Sequence, residues 1–275
     1  MSRSTAVEHV SAPAPRPAPG GHRFRSSAFV YRNLLVYRHT WGVLVASVVE
    51  PLLYLLSIGV GVGHLIGHVS GLGAPDVTYT DYVAPALLAT AVMNAAVSET
   101  TYSAFTRLSA ENVYDAVIRT PLTPADLALG EILWAAARGL LSGGGFLAVM
   151  AALGFVRSPW ALLTLPCAAL VGMSFGALGL LAMTFISGWQ QFQLLQLVML
   201  PMFLLSTTFY PLSVYPRAAG YVVICLPLFP SITLLRGMAL GELNPNLLWS
   251  TAYLLVIGLI GWRLATARLE RRLIR

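Results

Sequence analysis

Long apolar stretches separated by short polar connectors dominate the pattern along this chain. A bilayer core takes about 20 apolar residues in helical form. Runs of that kind occupy residues 42–66, 82–105, 131–156, 160–186, 191–210 and 247–268. Six spans are therefore predicted. A seventh apolar stretch, 215–240, has a different texture, because Pro216, Pro227 and Pro230 interrupt it. Each proline removes a backbone donor and disfavours helix in the residue before it. Two half-helices that enter the membrane and return suit 211–241 better than a full crossing.

Outside the apolar runs the pattern changes twice. Residues 1–21 are rich in Pro, Ala and Ser without periodicity, and read as a disordered tail. In residues 22–40, Arg25, Arg32 and His39 fall on one helical face while Phe24, Ala28, Tyr31 and Leu35 form an apolar stripe. An amphipathic helix lying at the membrane interface is expected there. The expected fold is thus an all-α integral membrane protein. It has six transmembrane helices in a domain over 41–270, an N-terminal interfacial helix, and a broken re-entrant segment before the last span.

Composition supports this reading: 57% of the 275 residues are hydrophobic and 10% are charged, with a mean hydropathy of +0.73. Soluble domains carry about 25% charged residues. Every one of the 17 basic residues is arginine. Thirteen of them fall on one side of a six-span topology, and Arg157, Arg217 and Arg236 fall on the other. Positive charge marks the cytoplasmic side. Both termini and the connector 106–130 are therefore expected in the cytoplasm of a plasma-membrane protein. The absence of lysine bears on chemistry, since phosphate-binding loops and kinase-like sites both depend on one. ATP hydrolysis by either scheme is not expected on this chain, and no nucleic-acid partner is indicated. Cys167 and Cys225 lie in apolar runs and suggest neither a disulfide nor a zinc site. His64 and His68 have metal-compatible spacing but lack a clear third ligand, so no metal is expected.

The connector between the second and third runs is unusually polar. "TPAD" at 123–126 reads as a helix start, with a capping hydroxyl, proline at the first position and an acid near the positive end of the dipole. Upstream, residues 109–120 form a short amphipathic element ended by Pro121. It presents Glu111, Asp115 and Arg119 beside apolar Val113, Val117 and Ile118. From spacing alone, a solvated capped turn and a plug for a groove on a soluble partner are equally served.

Ionisable groups inside a membrane are costly and are usually paired or functional. Glu50, Glu99 and Arg138 each lie about seven residues from the cytoplasmic end of a span, which is roughly 10 Å of depth at ~1.5 Å per residue. A shared network in which Glu50 and Glu99 flank Arg138 is expected, against separate snorkelling to the interface. A proton relay would need such groups to continue to the far side, and only Asn94 lies deeper in the second span. Gln190, Gln193 and Gln196 form a stripe at the start of the fifth span, a pattern that faces protein or an aqueous path rather than lipid. Gly172, Gly176 and Gly179 make a small-residue face for close packing and Gly143–Gly145 soften the third span, with structural packing the first reading for all of them.

Four stretches carry a family resemblance: "EPLLYLLSIGVGVG" (50–63), "YVAPALLATAVMNAAVSETTYSAFTRL" (82–108), "YDAVIRTPLTPADLALGEILWAAARGLLSG" (114–143), and "FYPLSVYP" with "LPLFPSITLLRGMALG" (209–241). In order and spacing they resemble the type-2 ABC exporter permeases, most closely the permeases of nodulation-type lipo-oligosaccharide exporters. The resemblance covers about residues 25–270. It implies a half-transporter: two six-span chains pair, and each docks a separate cytoplasmic ATPase subunit that carries the ATP and Mg, leaving no cofactor on this chain. It also implies that 109–124 is the coupling element, with Glu111, Tyr114, Asp115, Val117, Ile118, Arg119 and Pro121 seating in the ATPase cleft. In such permeases the first, second and fifth spans line the substrate route at the dimer interface, which implicates Asn94, Gln193 and Gln196. The segment 211–241, with Pro227, Pro230 and Arg236, would gate the outer exit. There Arg217 and Arg236 would anchor at the interface or meet anionic head groups. The implied function is export of an amphiphile such as a lipo-oligosaccharide, glycolipid or hydrophobic natural product. A secondary transporter would instead require inverted repeats and midplane ion sites. An intramembrane enzyme would require a nucleophile–base or metal constellation.

Overall fold

The computed structural model describes residues 41–63, 78–109, 123–156 and 158–273, all of whose regular elements are helical. Helix α1 (Trp41–Tyr54) continues into π turns over Leu55–Val62. Helix α2 (Tyr79–Ser98) passes through a π turn at Glu99–Ser103 into α3 (Ala104–Ser109). Helices α4 (Pro124–Ala152) and α5 (Thr164–Met183) follow, the latter entered through a 3-10 turn at Pro159–Leu163. Then come α6 (Phe192–Leu205), α7 (Arg217–Cys225), α8 (Leu228–Leu240) and α9 (Asn246–Leu273).

Four of these stretches are long and apolar enough to cross a membrane: Tyr79–Ser109, Pro124–Ala152, Pro159–Met183 and Asn246–Arg272. The pair α7–α8, bent by 82°, makes a fifth if counted as one span. Where six spans are expected from hydropathy, α1 and α6 are the shorter ones. Helix α1 gives way to π turns, and α6 contains Pro201 and ends before Ser206. The predicted interfacial helix 22–40, the histidine pair and nearly all of the connector 109–124 lie outside the described residues.

Two spans begin earlier than their apolar runs, because capping rather than hydropathy sets the start. Thr78 and Asp81 form a reciprocal capping box at α2, and Thr123 and Asp126 form one at α4 with Pro124 in the first turn. Each carboxylate accepts from its cap backbone N–H, at 3.0 Å for Thr78 and 3.1 Å for Thr123.

Helix α2 is the centre of the bundle and is buried on nearly every side. It contacts α4, α5 and α8, while α4, α5 and α9 pack against one another in sequence. Small residues permit this closeness. A Cβ at Gly172 would lie 3.0 Å from the Ala136 backbone, and one at Gly139 would lie 3.0 Å from Val92. At Gly179 the added carbon would collide with Thr100. The small-residue face of α5 therefore seats directly on α4 and α2, as in membrane helix pairs generally. Helix α4 is unbroken through Gly143–Gly145, and the packing expected of these glycines is found at Gly143. A Cβ at Gly143 would meet Val92 at 2.8 Å, so this glycine makes room for α2.

Candidate functional site

The chain's polar chemistry concentrates where α2, its π turn and α4 meet. Glu99 is fully buried and accepts from two guanidiniums: Arg107 Nη1 at 3.0 Å and Arg138 Nη1 at 2.8 Å. Ser103 Oγ donates to it at 3.3 Å. Arg107 in turn grips Glu131 with two parallel bonds, Nε to Oε1 at 3.0 Å and Nη2 to Oε2 at 2.6 Å. The result is a chain of alternating charge, Glu131–Arg107–Glu99–Arg138, with two acids and two bases. Both carboxylates have no side-chain exposure, so neither charge could persist without these partners. The bidentate fork is the stronger geometry for an arginine–carboxylate pair.

This corrects the network expected from depth along the spans. Arg138 does face Glu99, but Glu50 is not part of the arrangement. Glu50 is exposed on α1, without an ion pair or hydrogen bond among the described residues. Arg107 and Glu131 take the position predicted for it. Both lie at the polar ends of their spans, where snorkelling was an adequate reading. Helix α3 turns Arg107 inward instead. Their signal in the sequence was opposite charge at similar depth. The π turn at Glu99–Ser103, which shifts the facing of everything after it, leaves no mark in apolar periodicity.

Beside the charge chain lies a cavity of about 430 Å³ between α1, α2 and α4. Ser47, Glu50, Asn94, Ser98, Ser103 and Arg138 line its polar wall. A second cavity of about 110 Å³ shares Glu50, Pro51 and Asn94 with the first and extends along α6. Its walls are mostly apolar, including Tyr54, Met93, Met199 and Phe203, with Gln196 among them. The two share part of their walls and together make a groove in which polar and apolar side chains mix. Of the predicted path residues, Asn94 and Gln196 line it, whereas Gln193 is exposed and lies outside both walls.

Helix α6 buries only Phe192 and Met202. Aromatic contacts hold it at both ends. Tyr102 stacks on Phe192 at 4.2 Å, with Phe105 edge-on to Phe192 and to Trp189. At the other end Phe203 meets Tyr54 at 5.9 Å and Phe209 at 5.3 Å. Rings at such separations prefer offset or edge-to-face contact.

The bent segment α7–α8 holds the predicted gate residues. Pro227 stands at the corner before α8, and Pro230 is buried within its first turn. Arg236 is committed inside the protein rather than to head groups. It donates to the Tyr82 carbonyl at 3.1 Å and the Thr207 carbonyl at 2.9 Å, and its guanidinium lies 3.6 Å from the Tyr82 ring centroid. Tyr82 Oη donates to the same Thr207 carbonyl at 3.1 Å. Thr207 has φ of 59°, an uncommon backbone for a β-branched residue. One arginine thereby fixes the start of α2, the turn after α6 and α8. Arg217, by contrast, is exposed. Nothing in the spacing of 209–241 marks Arg236 as an internal clamp, because its acceptors are backbone carbonyls more than 25 residues away. The coupling residues Glu111, Tyr114, Asp115, Val117, Ile118, Arg119 and Pro121 lie outside the described residues.

No group of three or more His, Cys, Asp or Glu among the described residues could hold a metal ion. The geometry is that of a packed membrane bundle with a side groove and an internal charge lock.

Comparison with known proteins agrees with this architecture. Residues 26–240 match the ABC-2 type transporter family. The chain is 33% identical over 246 residues to nodulation protein J of Rhizobium leguminosarum bv. viciae, covering 89% of this chain and 93% of that protein. It is 35% identical over 233 residues to nodulation protein J of Rhizobium leguminosarum bv. trifolii, covering 84% and 87%. With nodulation protein J of Rhizobium meliloti (strain 1021) it shares 32% identity over 244 residues, covering 88% and 91%. The match spans the charge lock, the groove-forming helices and the bent segment together, and the chain belongs to the ABC-2 type transporter family as a multi-pass membrane permease.

Proposed function

We propose that this chain is the conducting half of an ATP-driven exporter for an amphiphile, such as a lipo-oligosaccharide, a glycolipid or a hydrophobic natural product. The observation that carries the reading is the groove along α1, α2 and α6, whose two cavities share Glu50 and Asn94 and set polar groups beside hydrocarbon. A molecule with a hydrated head and a hydrocarbon tail presents both kinds of surface.

In this reading the chain crosses the plasma membrane six times, with α1 and α6 as the two short crossings and both termini in the cytoplasm. Arginine placement supports that orientation. Helix α6 leaves Leu194, Leu197, Val198 and Leu200 exposed, and a second copy of the chain would close the groove against that face. Two copies of a separate cytoplasmic ATPase subunit would bind ATP and Mg and engage residues 109–124. The charge lock fits the route by which their closure reaches the membrane, since Arg107 lies just before that connector and Arg138 borders the groove. The bent α7–α8 segment, held by Arg236, would form the outer exit.

Reconstitution with a separately expressed cytoplasmic ATPase subunit of this transporter family tests the proposal. Co-purification of the two, ATP turnover stimulated by amphiphiles, and loss of that stimulation on Asp115→Ala with Arg119→Ala are the expected results. Full transport by the isolated chain in vesicles, with no second protein, would refute it.

A further inference from the structure

Resting on the groove as the amphiphile route, we infer that Glu50 selects for a head group bearing a positive charge, such as a protonated amine. The electrostatic inventory of the groove leads there. Arg138 borders the polar cavity, but its charge is answered by Glu99 at 2.8 Å. Arg107 is answered by Glu99 and Glu131. The two arginines and two buried acids cancel, which leaves the Glu50 carboxylate as the single uncompensated charge on the groove wall among the described residues. An unanswered carboxylate within an apolar helix is costly unless the site supplies water or a cation. Glu50 lines both cavities, so a head group held in either one meets its carboxylate.

The surrounding groups suit an amine-bearing, hydroxylated head. Asn94 offers both a donor and an acceptor, and Ser98 and Ser103 offer hydroxyls on the same wall. Tyr54 and Phe203 line the smaller cavity beside Glu50, and aromatic rings tolerate a cation or hydrocarbon next to them. An anionic head would meet Glu50 without access to a free arginine. The groove therefore discriminates by charge sign, through repulsion as well as attraction.

The test uses the purified full chain in nanodiscs of zwitterionic phosphatidylcholine, so that lipid charge does not sort the probes. Two fluorescent dodecyl glycosides are compared, one with a free 2-amino group and one with that amine N-acetylated. The wild type is expected to bind the free amine at least about tenfold more tightly, equal to about 1.4 kcal/mol. In Glu50→Gln the ratio of affinities should fall to near one, and in Glu50→Asp, which keeps the charge, a clear preference should remain. Equal binding of both probes by the wild type, or an undiminished preference in Glu50→Gln, overturns the assignment to Glu50 and leaves the groove reading intact. Failure of both probes to bind overturns the groove itself and this inference with it.

Discussion

Replacing Glu99 by glutamine removes the carboxylate that Arg107 and Arg138 both face. At 2.8 Å and an effective dielectric near 20, the Glu99–Arg138 attraction is about 6 kcal/mol before desolvation. Stripping water from both ions returns several kcal/mol of that, so the pair's net worth is much smaller than its gross attraction. Removing one partner is another matter, since it exposes the desolvation cost of the other, and about 3–5 kcal/mol of destabilisation is expected. Arg138→Met should cost a similar amount by leaving Glu99 with Arg107 alone. The double variant Glu99→Gln with Arg138→Met removes both ends. Its cost should fall short of the sum of the singles by about 2 kcal/mol, within the range found for residues in one network. Unfolding by SDS in mixed micelles, followed through the chain's six tryptophans, measures all three variants. Additivity within about 0.5 kcal/mol would show that the two groups do not interact, and the charge lock would have to be abandoned.

Three other perturbations follow from the same structure and are read by the same unfolding assay. Arg236→Lys should cost about 1–3 kcal/mol, because an ammonium cannot serve two carbonyls and lie flat on the Tyr82 ring; an unchanged midpoint would remove its role as a clamp. Gly172→Ala should cost about 1–3 kcal/mol, since the new methyl lies 3.0 Å from the Ala136 backbone and can only be relieved by separating α4 from α5; unaltered stability would mean that this contact is looser than drawn. Thr123→Ala should cost about 1 kcal/mol by removing the hydroxyl that caps α4, while Thr123→Ser should retain most of the stability.

Much of the architecture is written in one dimension. Apolar run length identified the four helices long enough to cross a membrane, because the bilayer imposes a fixed thickness on each one. The Thr123 cap was readable because capping is local, involving residues three apart. The α5 glycines announced a close contact, since only small residues let membrane helices approach so nearly. The quoted motifs led to the family. What each glycine touches is another kind of information: packing was expected at Gly143, but that it makes a berth for Val92 of α2 is known only from the structure.

The site was legible in part. Similar depth along the spans, and the need for buried charges to be answered, led to the Glu99–Arg138 pair. The remaining partners could not be read, because each residue's facing depends on helix rotation and on the π turn after Ser98, neither of which hydropathy records. Tertiary packing decided that Arg107 and Glu131, rather than Glu50, complete the lock. It also decided that Arg236 would close on carbonyls contributed by residues 82 and 207. Backbone acceptors are identical at every position of a chain, so their selection by a side chain exists only once the helices are assembled.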